Sequence, residues 1–256
     1  MVKIGNVELG LRPVIAGVMR ELSIQDAVRA KSSGADVIEL RLDLLKSEDR
    51  RVERVNEFLG LLKMPVIITN RRREEGGSFA GTEEEQIALL SSILETRQVN
   101  AVDIEFLSHE VIKRRLIEQA NKLLIPVILS LHDLKGMPDH EKILKIIDDM
   151  YDEGGSIAKI AVTPKTLNDA LFLLTLTHAV SKAGKSLVCI GMGSGPIGRH
   201  LRLITPVYGS VLTYGFIGSE ESSVAPGQFG VKELRYTLDM LGLGAARRRN
   251  NGAGAI

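Results

Sequence analysis

A lysine in the middle of an apolar run is the first residue that could do chemistry. Lys159 stands in Ile157-Ala158-Lys159-Ile160-Ala161-Val162, flanked only by small and branched apolar residues. Burial disfavours the ammonium form of such a side chain, and an amine freed of its proton attacks a ketone to form an imine. A salt-bridged structural lysine is the alternative. His132 closes a second apolar run, Ile128-Leu129-Ser130-Leu131-His132-Asp133, and imidazole is suited to take and return a proton near neutral pH. The other histidines (His109, His140, His178, His200) fall in helical or loop segments with ordinary surface or packing explanations. No two histidines have metal-ligand spacing, no HExxH occurs, and the lone Cys189 excludes a cysteine zinc cluster or an intrachain disulfide. Neither a metal nor a cofactor is expected.

Other ionisable residues fall in phase with these two. Residues two apart in a strand share a face. In Val37–Asp43 one face carries Val37, Glu39, Arg41 and Asp43, and the other carries Ile38, Leu40 and Leu42. The apolar face must meet helices, so the charged face points inside a closed sheet. Arg71 ends the next run in phase with Ile67 and Thr69, Asp103 pairs in phase with Glu105, Ser130 with His132, and Lys159 with Ala161. Each uncompensated buried ion costs several kcal/mol, so the groups must pair, or serve a reaction, or both. One lysine, one histidine, carboxylates and two arginines suit proton transfer on an anionic substrate.

The elements that must position these side chains alternate between two periods. Short β-branched runs recur at Pro13–Met19, Asp36–Asp43, Pro65–Asn70, Ala101–Phe106, Ile125–His132, Ser156–Val162, Ser186–Ile190 and Ser210–Phe216. Helical spacing fills the gaps, as at Ile24–Ser33, Glu83–Glu95, Val111–Leu123, His140–Tyr151 and Leu167–Lys182; Gly193–Thr205 is the weakest helix. Strands alternating with helices predict parallel βαβ units, and Val231–Leu241 closes the count of a (β/α)8 TIM barrel. A doubly wound open sheet is the competing architecture. Val2–Leu9, turning at Gly5-Asn6, predicts a β-hairpin that closes the N-terminal mouth of the barrel. The barrel is expected to occupy residues 1–244 as one domain, with 245–256, rich in Gly, Ala, Arg and Asn, a disordered tail.

Composition narrows the partners. The chain has 256 residues, 44% hydrophobic and 25% charged, with 33 basic against 32 acidic residues. A formal charge of +1 gives no reason to expect nucleic acid or an anionic membrane as partner, and the runs Arg71–Arg73 and Arg247–Arg249 are too short for a binding stripe. No run reaches the ~18 apolar residues of a membrane span, and the N-terminus carries no signal-peptide pattern. A small-molecule substrate and a cytoplasmic location are expected.

In order and spacing, several motifs resemble type I 3-dehydroquinate dehydratase, the Schiff-base class of the shikimate pathway leading to chorismate and the aromatic amino acids. They are Glu39-Leu40-Arg41-Leu42-Asp43, Arg71 with Glu75-Gly76-Gly77, Asp103-Ile104-Glu105, Ser130-Leu131-His132-Asp133, Ala158-Lys159-Ile160-Ala161-Val162-Thr163-Pro164 and Ala225-Pro226-Gly227-Gln228. The resemblance implies that Lys159 forms an imine with the C3 ketone. His132 would take a proton from C2 and protonate the departing C1 hydroxyl, a syn elimination to 3-dehydroshikimate. It further implies that Glu39 is a catalytic carboxylate that orients substrate and assists proton handling, that Arg41, Arg71, Arg199, Gln228 and Ser223 hold the substrate's carboxylate and hydroxyls, and that Glu75 and Asp103 support them from behind. A homodimer is implied too, consistent with apolar late helices such as Leu167–Val180. Two departures stand out: Val224 where many relatives have Ser, and Gly17 where relatives often carry a hydroxyl. Both are expected to alter hydrogen bonds to substrate.

Two motifs point elsewhere. Gly193-Ser194-Gly195-Pro196-Ile197-Gly198 fits the dinucleotide pattern GxGxxG, yet it follows the seventh strand, contains a proline and lacks the acidic residue about 20 positions on. A loop carrying Arg199 to substrate is the better use. The stretch Ser219–Gly230 is long and rich in small residues, which suggests a lid. Rival functions are another imine-forming barrel, such as a class I aldolase, and a non-catalytic carboxylate-binding barrel.

Overall fold

The computed structural model describes residues 1–244; the tail expected at 245–256 lies outside them. A short hairpin, β1 (Lys3–Ile4) and β2 (Val7–Glu8), precedes β3 (Val14–Met19) and α1 (Ile24–Ser32). Then come β4 (Val37–Arg41), α2 (Val52–Leu61), β5 (Val66–Thr69), α3 (Glu83–Glu95), β6 (Ala101–Glu105) and α4 (Glu110–Lys122). The second half runs β7 (Val127–Asp133), α5 (His140–Asp152), β8 (Ile157–Val162), α6 (Leu167–Lys182) and β9 (Leu187–Gly191). Two four-residue helices follow, α7 (Pro196–Arg199) and α8 (Leu201–Ile204), then β10 (Leu212–Phe216), β11 (Phe229–Gly230) and α9 (Val231–Met240).

Strands β3 to β9 pair in chain order, all parallel, and β10 pairs back onto β3. Closure at the β9–β10 seam relies on fewer main-chain bonds. Val211 N–H donates to the Leu187 carbonyl at 2.9 Å, and Cys189 N–H donates to Ser210 Oγ at 3.1 Å. The result is the TIM barrel that alternating periods predict. The weak helix expected over Gly193–Thr205 is two single turns, and Gly198 in the first passes against the Met192 carbonyl, where a Cβ would collide.

The alternation of side chains sorts the core into two layers. Ile38, Leu40, Ile68, Val102, Ile104, Leu129, Leu131, Ala158 and Ile160 point out of the barrel and pack under the helices. Val14, Val37, Ile67, Ala101, Ile128, Ile157, Val188 and Leu212 point inward and fill its lower half. Ile4 and Leu9 of the hairpin join that inner cluster from below, fully or almost fully buried, so the hairpin plugs the N-terminal mouth. The helices are fixed by their own ends. Thr82 with Glu85 on α3 and Thr166 with Asp169 on α6 form reciprocal capping boxes, each contributing about 1 kcal/mol. With the lower half of the interior filled by aliphatic groups, the charged inward positions are left for the upper half.

Ser210 is a test of the seam. Its hydroxyl accepts from Cys189 N–H and donates to the Leu212 carbonyl at 3.1 Å, all within the buried interior. Ser210→Ala should lower the unfolding free energy by about 1–3 kcal/mol, the usual cost of orphaning a buried main-chain group, measured by urea denaturation. An unchanged midpoint would mean that the seam closes without this hydroxyl.

Candidate active site

Inward-facing positions on the upper halves of the strands carry the ionisable groups. Register sets their neighbours: Glu39 lies beside Ile67, Thr69 beside Asp103, Glu105 beside Ser130, and Ser130 beside Lys159. His132 sits beside Ala161, one alternation above Lys159 on the adjoining strand. Lys159 is 4% exposed, and its Nζ donates to Asp103 Oδ2 at 2.9 Å with Glu39 Oε1 at 3.9 Å. Glu39 in turn accepts from Thr69 Oγ1 at 2.9 Å. The amine's nearest ionic neighbours are therefore carboxylates, and Asp103 stands between it and Arg71.

Asp103 gathers three groups. Besides Lys159, its Oδ1 accepts from Arg71 at 2.6 Å and from Ser130 Oγ at 2.6 Å. Burial pushes its carboxyl up, but Arg71 and Lys159 outweigh that and hold it well below the usual carboxylate range. Arg71 also donates to Ser130 Oγ and lies 3.4 Å from Glu105. Burial alone would lower its guanidinium, yet Asp103, Glu105 and Glu75 raise it further above its ordinary value. Arg41 is locked on Asp43 through two bonds of 2.8 and 2.7 Å, and Asp43 caps the Arg71 and Ser78 amides. Asp103 is thus in direct contact with the amine, closer than the supporting position expected of it.

Glu75 also takes a more central place than expected. A 3-10 turn, Arg73–Glu75, ends at Gly76 with φ 81°, a left-handed backbone that favours glycine. Gly77 then packs against the Arg71 carbonyl where any Cβ would collide. The turn carries Glu75 back over the cavity, where its Oε2 meets His132 Nδ1 at 2.9 Å and accepts from the His132 amide at 3.1 Å. With Nδ1 engaged, Nε2 is the nitrogen left for a substrate. Burial, ahead of the nearby Arg71 and Lys159 cations, holds the imidazole well below its usual value. Burial likewise pushes the Glu75 carboxyl up to about 7 despite Arg71 at 3.9 Å.

Lys159, His132, Glu39, Arg41, Arg71, Glu75 and Gln228 line one cavity at the C-terminal end of the strands. Val224, Ala225 and Pro226 of the long loop after β10 form part of its wall. Gln228 is anchored there, accepting from the Val224 amide at 3.0 Å.

Three sequence expectations need correction. Arg199 does not reach the cavity: its guanidinium stacks on Phe229 with 4.5 Å to the ring centre and lines an adjoining surface depression. Arg202 lines the cavity instead, 4% exposed, donating only to the Pro226 carbonyl at 3.0 Å and making no ion pair with a described residue. Burial lowers its guanidinium to about 10, and no carboxylate offsets that. The missed signal was Arg202 within Leu201-Arg202-Leu203-Ile204, the same polar-in-apolar context that marked Lys159. Ser223 lines the outer depression too, with Oγ turned to the Ala225 carbonyl and to Gln228. Gly17 faces Ala30 and Ala35 under the helices, where a Cβ would lie 3.2 and 3.3 Å away, so a hydroxyl at that position cannot touch a ligand in the cavity.

Comparison with known proteins gives a consistent picture. A family model described as type I 3-dehydroquinase matches residues 14–245. A 3-dehydroquinate dehydratase of Methanococcoides burtonii is 37% identical over 243 residues, covering 94% of this chain and all of that protein. Among solved structures, the 3-dehydroquinate dehydratase of Geobacillus kaustophilus aligns with a TM-score of 0.84 at 25% identity, covering 94% of this chain and 96% of that one. The type I enzyme of Clostridium difficile, solved with covalently modified comenic acid, aligns with a TM-score of 0.83 at 28% identity over the same shares.

The raised Glu75 carboxyl has a consequence for stability. Its folded value of about 7 lies above the ordinary 4.5, so the fold favours the protonated acid. Ionising it costs stability that sets in above about 4.5 and is complete above about 7. Glu75→Gln should therefore be more stable than the parent at pH 8, by on the order of 2–3 kcal/mol, with the gain gone by pH 5. Urea midpoints at the two pH values check this; a variant less stable at pH 8 would show the carboxylate to be net favourable.

Proposed function

The chain belongs to the type I 3-dehydroquinase family, and from that premise we propose that it dehydrates 3-dehydroquinate through an imine on Lys159. The observation that carries this is the buried Lys159 amine at the cavity wall, one alternation below His132, with the unpaired Arg202 guanidinium lining the same space. Condensation of Nζ with the C3 ketone expels water and leaves a cationic imine that acidifies the C2–H bond. His132 Nε2 takes the C2 proton and gives it to the leaving C1 hydroxyl, which departs as water. Hydrolysis of the remaining imine frees 3-dehydroshikimate and the amine.

Arg202 supplies what the other arginines cannot. Arg41 spends its fork on Asp43, and Arg71 spends its own on Asp103 and Ser130. Arg202 has donors to spare, and its Nε is buried without a partner. A substrate carboxylate fits it as a charge-assisted pair. Gln228 and the Nη1 that Arg41 does not give to Asp43 are left for the ring hydroxyls, and Glu39, beside the amine, receives the proton the lysine loses. Glu75 fixes the His132 tautomer. The enzyme acts as a cytoplasmic homodimer; the exposed apolar face of α6, with Leu167 and Leu171, supports the self-association. No helix among the described residues is long and apolar enough to cross a membrane.

Following the enone absorbance of 3-dehydroshikimate tests the reaction. Lys159→Ala should abolish turnover, and His132→Ala should slow it by on the order of 10²–10⁴. Arg202→Ala should raise KM by on the order of 10², as expected for a lost buried charge pair, while Arg199→Ala stays near the parent. The opposite ranking of the two arginines would return the carboxylate to Arg199. Cleavage of a phosphorylated sugar in place of dehydration would put the chain among the aldolases.

A further inference from the structure

Tyr214 is buried in the same wall and takes no part in the hydrogen bonding above. It sits mid-strand on β10, 5% exposed, lines the cavity and presents its ring to Lys159 Nζ, 4.3 Å from the ring centre. Its hydroxyl is buried without a hydrogen-bond partner, so no bond fixes the side chain by that end. Burial, with Glu39 and Asp103 next, pushes the phenol well above its usual value, so it stays neutral. What the residue offers the amine is the negative face of an aromatic ring.

The change of donors at Nζ makes that face matter. An ammonium has three N–H donors and can hold Asp103 while Glu39 stands close by. After condensation with a ketone the imine nitrogen keeps one N–H, so at most one of those carboxylates remains hydrogen-bonded. The positive charge persists, now spread over nitrogen and carbon. A ring face needs no N–H to attract a cation, and in a water-excluded site that attraction is at its strongest. Resting on the imine reading of Lys159, we propose that Tyr214 is a positioning residue whose ring face holds and stabilises the cationic imine nitrogen when the ammonium's extra hydrogen bonds are gone.

Three variants separate this from packing. Tyr214→Met keeps most of the volume and removes the aromatic face; Tyr214→Phe keeps the face and removes the orphan hydroxyl. Thermal unfolding first establishes that both are folded. With 3-dehydroquinate as substrate, the Met variant should lose kcat by about tenfold to thirtyfold, with the alkaline limb of its kcat profile moved about one unit lower, since a less stabilised iminium deprotonates sooner. The Phe variant should stay within about threefold of the parent, with the limb unmoved. Equal losses in folded Met and Phe variants, or a Met variant with an unmoved limb, would overturn the proposal. Borohydride trapping of the parent chain runs alongside as the control on Lys159. If the parent forms no adduct there, the imine reading fails; if it does and the Met profile is unchanged, only the role of Tyr214 fails. A Tyr214→Leu variant, folded and resembling Met, supports the ring over any property of the thioether; a Leu variant resembling the parent counts against it.

Discussion

Asp103 holds a buried lysine and a buried arginine at once, and most of the site depends on that shared carboxylate. Its two oxygens face Lys159 at 2.9 Å and Arg71 at 2.6 Å, with Ser130 completing the second. Two cations placed in the interior without it would each carry a desolvation cost of several kcal/mol and would repel one another. The carboxylate can serve both because β5, β6, β7 and β8 pair in register, setting Thr69, Asp103, Ser130 and Lys159 at neighbouring levels. A slip of one residue in one of these strands would turn its own member of the set to the helix side. The sheet geometry is thus inseparable from the electrostatics.

The site is divided between paired and unpaired charge. Arg41 is paired with Asp43, and Arg71 with Asp103 and Glu105. Arg202 lacks an ion-pair partner among the described residues, and its guanidinium is lowered to about 10 by burial alone. An anionic ligand completes what the protein leaves open at that point. On the proposed reaction, binding is thereby coupled to orientation: a carboxylate on Arg202 and a ketone on Lys159 would fix two points of a small ring. The Glu75–His132 contact engages Nδ1 and leaves Nε2 as the nitrogen open to the cavity. Burial raises the Glu75 carboxyl to about 7 and holds the imidazole well below its usual value, so the neutral imidazole is the favoured form beside it.

Period and phase made much of this legible from the chain itself. The strands, the inward set of Glu39, Arg41, Arg71, Asp103, His132 and Lys159, and the hairpin plug all follow from alternation, because a strand side chain has only two directions to take. Residues outside regular strands were harder. Arg199 and Arg202 lie three apart in the two short turns of α7 and α8, and only the folded path of those turns shows that Arg202 lines the cavity while Arg199 lines the outer depression. Glu75 swings inward through a left-handed glycine, a backbone feature that periodicity does not encode. Gly17 misled because a missing side chain says nothing about which face it is missing from. Asp103 was legible as inward but not as the amine's partner, since contact across a barrel depends on register between strands far apart in sequence.

The central claim is that the buried Lys159 amine condenses with the substrate ketone. Reduction with borohydride in the presence of 3-dehydroquinate, followed by mass spectrometry of the peptide spanning residues 157–162, tests it most directly. The account predicts a single substrate-dependent adduct on Lys159 that inactivates the enzyme. An enzyme that turns over 3-dehydroquinate yet leaves Lys159 unmodified under those conditions would contradict it.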